Sequence, residues 1–109
     1  MSTLSCVVGL KTTKNETKIK VALITSTEVG KKPAEVIFNE CVLPSDVRAT
    51  ATKVLNKIQQ AYPDASVDFQ NGLYVSQSTG KLTETDALRG ETLNTIESVL
   101  KPVFQTQAV

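Results

Sequence analysis

The sequence predicts an α+β two-layer sandwich, in which a mostly antiparallel sheet carries both helices on one face. Residues 45–62 carry a single apolar stripe at helical spacing, and extended-looking segments flank this helix on both sides. A second helical stripe follows near the end of the chain. A helix with one apolar face packs that face against a sheet. The strand-like segments before, between and around the two helices give the predicted element order β-β-β-α-β-β-α. With 109 residues, the chain is predicted to form a single domain, 1–109.

Alternation of apolar and polar residues predicts three strands before the first helix. The first strand, Leu4–Leu10, has an apolar residue at every second position. The polar loop 11–17 separates it from the second strand, Lys18–Thr25. Gly30 lies in the loop before the third strand, Ala34–Leu43. Because short loops join these sequential strands, we expect an antiparallel meander.

The first helix is predicted from Ser45 to Tyr62. Ser45 is a suitable N-cap, and Pro63 ends the helix because the residue before a proline is disfavoured in the α region. The apolar stripe consists of Val47, Ala51, Val54, Leu55, Ile58, Ala61 and Tyr62. We expect Val54, Leu55 and Ile58 to be core residues.

Two short strands are predicted after this helix. Ser66–Gln70 and Leu73–Gln77 flank the dipeptide Asn71-Gly72, which is typical of tight hairpin turns. We therefore expect the two strands to pair directly with each other.

The second helix is predicted to begin at Thr83. Asp86 stands three residues later, in the position of a capping acid, and Pro102 is expected to end or kink the helix. The stripe consists of Leu88, Thr92, Ile96, Val99, Leu100 and Val103.

A second topology fits the same segments. Three antiparallel strands, a helix and a strand is also the element order with which ribonuclease H-like domains begin, where the fourth strand returns beside the first. This likeness concerns element order alone, and it requires that Leu73–Gln77 is not a strand. Two-metal nucleases place a carboxylate on the first strand, and Leu4–Leu10 contains none. An active nuclease is therefore not expected under either topology.

The composition argues against most catalytic chemistry. The chain contains no histidine, which excludes Ser-His-Asp and Cys-His catalysis and the usual zinc sites. Its glycines form no phosphate-binding loop, and its two cysteines are not paired as CxxC. We expect no cofactor, no metal site and no enzymatic activity.

The sequence shows no membrane or export signal. No stretch approaches the roughly 18 apolar residues of a spanning helix, and residues 1–10 lack the basic start of a secretion signal. We therefore expect a cytoplasmic protein in which Cys6 and Cys41 are reduced and buried.

Positive charge is concentrated in residues 11–32. This segment holds six lysines against two glutamates, although the whole chain has a net charge of only +1. The lysines are Lys11, Lys14, Lys18, Lys20, Lys31 and Lys32. They either keep the sheet surface soluble or form an anion-binding surface. Because arginines and exposed aromatic residues are scarce, nucleic-acid binding is kept as the alternative.

The third strand indicates protein–protein association. It carries apolar residues on both faces, whereas helices on one side of the sheet cover only one of them. We expect Ile37 and Cys41 to lie on the uncovered face and to meet a second copy or a foreign protein. The sequence thus predicts a small non-catalytic binding or accessory protein, either a homo-oligomer or an inhibitor of a larger complex, with Ile37 in its interface.

Overall fold

The computed structural model describes the backbone of residues 3–107 and the side chains of residues 3–99. It confirms the α+β two-layer sandwich, with a four-stranded sheet and both helices packed on one of its faces. The strands are β1 (Thr3–Thr12), β2 (Thr17–Thr25), β3 (Val36–Val42), β4 (Ser66–Asn71), β5 (Leu73–Val75) and β6 (Leu82–Glu84). The helices are α1 (Val47–Ala61) and α2 (Glu91–Gln107).

The main sheet has the strand order β3-β2-β1-β4. β1 pairs antiparallel with β2, and β2 pairs antiparallel with β3. β4 returns beside β1 in parallel, with Thr3 opposite Ser66 and Val8 opposite Asn71. This is the placement of the fourth strand that the ribonuclease H-like order requires. That order also required Leu73–Gln77 not to be a strand, and this is wrong, because Leu73–Val75 forms β5 in a separate two-stranded sheet with β6.

The predicted direct pairing across Asn71-Gly72 is wrong. The backbone of β4 already bonds to β1, and the Gly72 N–H continues this ladder to the Val8 carbonyl at 2.6 Å. Gly72 has φ +85°, a conformation that glycine adopts without steric cost, and the chain leaves the main sheet there. β5 then pairs with β6 instead, in a β5–β6 hairpin with Tyr74 opposite Thr83.

Apolar residues are buried on both faces of β1 and β2. On one face they pack with the two helices; this cluster comprises Leu4, Cys6, Val8, Ile19, Val21, Leu23, Val47, Ala51, Val54, Ile58, Ala65, Leu88 and Ile96. On the other face a smaller cluster comprises Val7, Ala22, Ile24, Val75 and Leu82. The β5–β6 hairpin therefore covers part of the second face of the sheet, over β1 and β2, and the sequence did not predict this contact.

The start of the first helix differs from the prediction. A 3₁₀ turn, Pro44–Asp46, precedes α1, so Ser45 lies inside that turn and is not the N-cap. The fixed φ of Pro44 suits the first position of such a turn. Val54 and Ile58 are fully buried, as expected, whereas Leu55 is only half-buried against the core and Ala61 is exposed.

The predicted start of the second helix at Thr83 is wrong, because Thr83 belongs to β6. The Leu10 N–H bonds to the Asp86 carbonyl at 2.9 Å, which holds this segment extended against β1. α2 begins only after Gly90, whose φ of +61° is not α-helical. Pro102 does not end the helix, which continues to Gln107.

The stripe of α2 is confirmed in part. Ile96 is buried and Val99 packs against the core, while Leu88 is buried just ahead of the helix. The side chains of Leu100 and Val103 lie outside the described residues.

The two cysteines are both free thiols, but only one is buried. Cys6 is fully buried between β1 and the helices, and burial raises its pKa to about 12. Cys41 is exposed, which corrects the prediction that both are buried. Cys41 lies opposite Lys20 on the face that carries the hairpin, but on the outermost strand.

Candidate protein-binding edge

The outer edge of β3 is free in the part of the chain that the structure describes. β3 is seven residues long and pairs on its inner side with β2, and no described strand pairs with its outer side. Val36, the first residue of β3, is 43% exposed, and Leu43, just after the strand, is 41% exposed. A sheet edge with no strand beside it can accept another strand.

The backbone groups that point outward can be assigned from the ladder. The Thr25 N–H bonds to the Glu35 carbonyl at 3.0 Å, so the odd-numbered residues of β2 face β3. Because bonding direction alternates along an antiparallel pair, the β3 partners of those residues, including Glu40 and Val42, face inward. The amides and carbonyls of Asn39 and Cys41 therefore lie in the plane of the sheet and point away from β2, towards its open edge.

A bulge in β3 changes the direction of Ile37. The register shifts between Leu23 and Ile24, so that Phe38 lies opposite Leu23 but Val36 lies opposite Ile24. Ile37 is the extra residue, and its half-buried side chain packs against the helix-side cluster. The expectation that Ile37 shares an uncovered face with Cys41 is therefore wrong, since the bulge places them on opposite faces.

Ile37 instead lines a groove between β3 and α1. The groove has a volume of about 500 Å³. Its β3 side is formed by Ile37, Phe38, Asn39 and Glu40, and its α1 side by Lys53, Asn56, Lys57 and Gln60. The groove thus runs along the free edge for four residues of β3.

One end of the groove is fixed by a hydrogen bond. The Tyr62 hydroxyl, just after α1, donates to the Glu35 carboxylate at 2.9 Å, just before β3. This bond raises the pKa of the Tyr62 phenol, because ionisation would remove the donated proton and place a second negative charge beside Glu35. The contact holds the end of α1 beside the start of β3, so the helix and the strand run past each other in opposite directions.

The α1 wall of the groove is positively charged. α1 contains Arg48, Lys53 and Lys57 and no acidic residue. Lys53 and Lys57 line the groove, are exposed, and form no ion pair with any side chain in residues 3–99. Among the described residues that line the groove, Glu40 is the one acidic side chain. Sequence reasoning missed these lysines because on an amphipathic helix they resemble an ordinary solvated face; the absence of any acid in α1 was the available signal.

The six predicted lysines do not converge on one site. Lys14 lies in the loop between β1 and β2, whereas Lys31 and Lys32 lie in the loop at the opposite end of β2. The nine residues of β2 separate these loops by about 27 Å, at roughly 3.3 Å per residue. Lys18 pairs with Glu16 and Lys31 with Glu28, both at 3.3 Å, which reduces the charge available to a ligand.

The remaining lysines lie on the face that carries the hairpin. Lys20 lies over the Tyr74 ring, with its ammonium 3.4 Å from the ring centroid. Lys11 and Lys20 border a cleft of about 300 Å³ beside Cys41, closed on the far side by residues 74–78. This cleft lies across the sheet from the groove.

The described residues contain no other arrangement with an evident chemical role. Nowhere in this part of the chain do three or more histidine, cysteine, aspartate or glutamate side chains converge as metal ligands. No helix within it is long and apolar enough to cross a membrane. Comparison with family models, with curated proteins and with solved structures yields no match to this chain.

Proposed function

We propose that this chain is a non-catalytic protein-binding module that takes up an extended segment of a partner as an additional strand on β3. The observation that carries the proposal is the free outer edge of β3 beside an open groove. In such a mode, main-chain hydrogen bonds supply affinity, and alternate side chains of the added strand supply specificity. The outward-pointing backbone groups of Asn39 and Cys41 would form those hydrogen bonds.

A foreign partner is better supported than a second copy. Antiparallel pairing of two β3 strands about a two-fold axis would place both copies of α1 on the same face of one continuous sheet. The helix walls carrying Lys53 and Lys57 would then approach each other with like charges. Electrostatic repulsion between these lysines would therefore oppose self-association through this edge. A partner without such lysines would not meet this repulsion.

Nucleic-acid binding by residues 11–32 gains no support from the arrangement of the lysines. They are spread over β1, β2 and the loops at both ends of β2, and two of them are held in ion pairs. The ring of Tyr74, an aromatic residue beside these lysines, is covered on one face by the Lys20 ammonium.

The proposal can be tested by selecting random 12-residue peptides on phage against the full chain. The edge is then blocked with Asn39→Pro, since a proline fits an edge strand where the missing N–H would face solvent. Asn39→Thr is the matched control, because it changes the side chain and keeps the N–H. The selected peptides should bind wild type and Asn39→Thr alike, and Asn39→Pro at least tenfold more weakly.

Thermal melts of both variants should stay near that of wild type. If Asn39→Pro does not fold, Cys41→Pro with Cys41→Thr as its control tests the same edge two residues along. Peptides that bind the blocked and unblocked edges equally, or a selection that enriches no sequence, would contradict the proposal.

A further inference from the structure

We infer that the segment taken up by β3 carries two acidic side chains at positions i and i+2 and an apolar one at the adjoining alternate position, all directed towards α1. This inference rests on the proposed function and specifies the chemistry of the partner. It follows from which side chains of an added strand would enter the groove, and from what they would meet there.

Only every second side chain of an added strand would enter the groove. Successive side chains of a strand point to opposite faces, so residues i, i+2 and i+4 of the partner would face α1. The residues between them would face the other side of the sheet, at the level of Cys41. Specificity at the groove therefore concerns a set of alternating positions.

The β3 side of the groove favours an apolar side chain in this set. Ile37 and Phe38 are half-buried here, and both project to the helix side because of the bulge. An apolar side chain that covers them removes more of their surface from water, which favours binding.

The α1 side favours carboxylates. Lys53 and Lys57 lie one turn apart, about 6 Å along the helix axis. Residues i and i+2 of a strand are separated by about 6.6 Å, so consecutive groove-facing positions nearly match this spacing. Glu40 would repel an acid placed directly over it, and its position on the β3 side leaves the α1 side as the place for the carboxylates.

A peptide fits this surface better than a polynucleotide does. A polynucleotide would satisfy the lysines but would leave the outward-pointing amides and carbonyls of β3 without main-chain partners. The groove also lacks an exposed aromatic platform for bases, since Phe38 is half-buried against the core.

The composition of the peptides selected on phage tests this inference. They should be enriched in aspartate or glutamate at two consecutive alternating positions, i and i+2, with an apolar residue at the next alternating position on one side. A synthetic peptide of the enriched sequence should bind the double variant Lys53→Gln/Lys57→Gln about tenfold more weakly than wild type, with a shallower dependence on salt. The control Lys14→Gln/Lys31→Gln removes the same charge at two loop positions that line neither the groove nor the cleft beside Cys41, and should bind within about twofold of wild type.

The outcomes separate the two proposals. Peptides that need the open edge but contain no acidic residues, or that bind Lys53→Gln/Lys57→Gln as well as wild type, would overturn the inference and leave the proposed function standing. Peptides that ignore Asn39→Pro would overturn both. A 20-nucleotide oligo-dT that binds through Lys53 and Lys57 and displaces the peptide would show that the groove takes phosphates, and would also overturn the inference.

Discussion

Cys6 and Cys41 show how the same residue in similar local sequence can have different surroundings. Both lie on strands that contain several apolar residues, which led to the expectation that both are buried. Cys6 is on β1, which has a strand on each side and is covered on both faces, whereas Cys41 is on the edge strand β3. The difference arises from sheet position, which the residues next to a cysteine do not reveal.

The buried thiol of Cys6 makes stability depend on pH. Its pKa is raised by burial from the ordinary 9.0 to about 12 in the folded chain, so above pH 9 the unfolded chain loses this proton while the folded chain keeps it. The free energy of unfolding should therefore fall as pH rises from about 9 to 12, by about 2 kcal/mol at pH 10.5. It should be unaffected by this group below pH 9.

Denaturant melts of wild type and Cys6→Ala as a function of pH measure this effect. The difference between the two proteins isolates the thiol from the lysines and tyrosines that titrate in the same range. Cys6→Ala should be less stable at pH 7 but should lose less stability towards pH 10.5. Parallel curves for the two proteins would show that Cys6 ionises equally in both states.

Ile37 shows the limit of pattern reading at a bulge. Strict alternation assigns it to the same face as Cys41, and one extra residue in β3 moves it to the opposite face. The sequence thus indicated the right strand for the candidate site and the wrong face. Nothing in the composition of residues 34–43 distinguishes a bulged strand from a regular one.

At the scale of elements, the hairpin depends on a close approach to β1. A side chain at Gly9 would overlap the methyl group of Thr85 and would lie 3.1 Å from the Leu73 carbonyl. The Thr85 hydroxyl donates to the Leu10 carbonyl at 2.9 Å, so this residue also fastens the segment after the hairpin to β1. Glycine is therefore required at position 9, because the residues around the hairpin leave no room for a side chain there.

Gly9→Ala should destabilise the protein by about 1–3 kcal/mol, because the hairpin must move away from β1. Thr85→Ser removes the methyl group and keeps the hydroxyl bond, so the double variant should recover part of the loss. A double-mutant cycle from urea melts measures this coupling. Two losses that simply add would show that the overlap with Thr85 does not determine the cost.

Some elements could be predicted from local pattern and others could not. β1, β2 and α1 follow from alternation and from the helical stripe, because each presents one continuous apolar face to the core. The parallel return of β4 and the β5–β6 hairpin depend on which strand offers free backbone groups, a property of distant segments. Asn71-Gly72 is typical of a hairpin turn, yet the backbone of β4 is hydrogen-bonded to β1 and not to β5.

At the scale of the whole molecule, the layers explain why β3 is the candidate surface. Helices cover one face of the sheet and the hairpin covers the other face over β1 and β2, whereas β3 is only half-buried on the helix side and no described strand pairs with its outer edge. The groove exists because α1 lies beside this edge strand, and the hydrogen bond from Tyr62 to Glu35 joins the end of the helix to the start of the strand. The candidate site is a product of the assembled layers, and so the sequence predicted only the strand that carries it.

Amide hydrogen exchange along β3 tests the central claim most directly. In the free protein, the inward-facing amides of Glu40 and Val42 should exchange slowly and the outward-facing amides of Asn39 and Cys41 rapidly, at every protein concentration. With a selected peptide bound, Asn39 and Cys41 should become protected, as they would on gaining a neighbouring strand. Protection of Asn39 and Cys41 in the free protein, or a bound peptide that leaves them exchanging rapidly, would contradict the account.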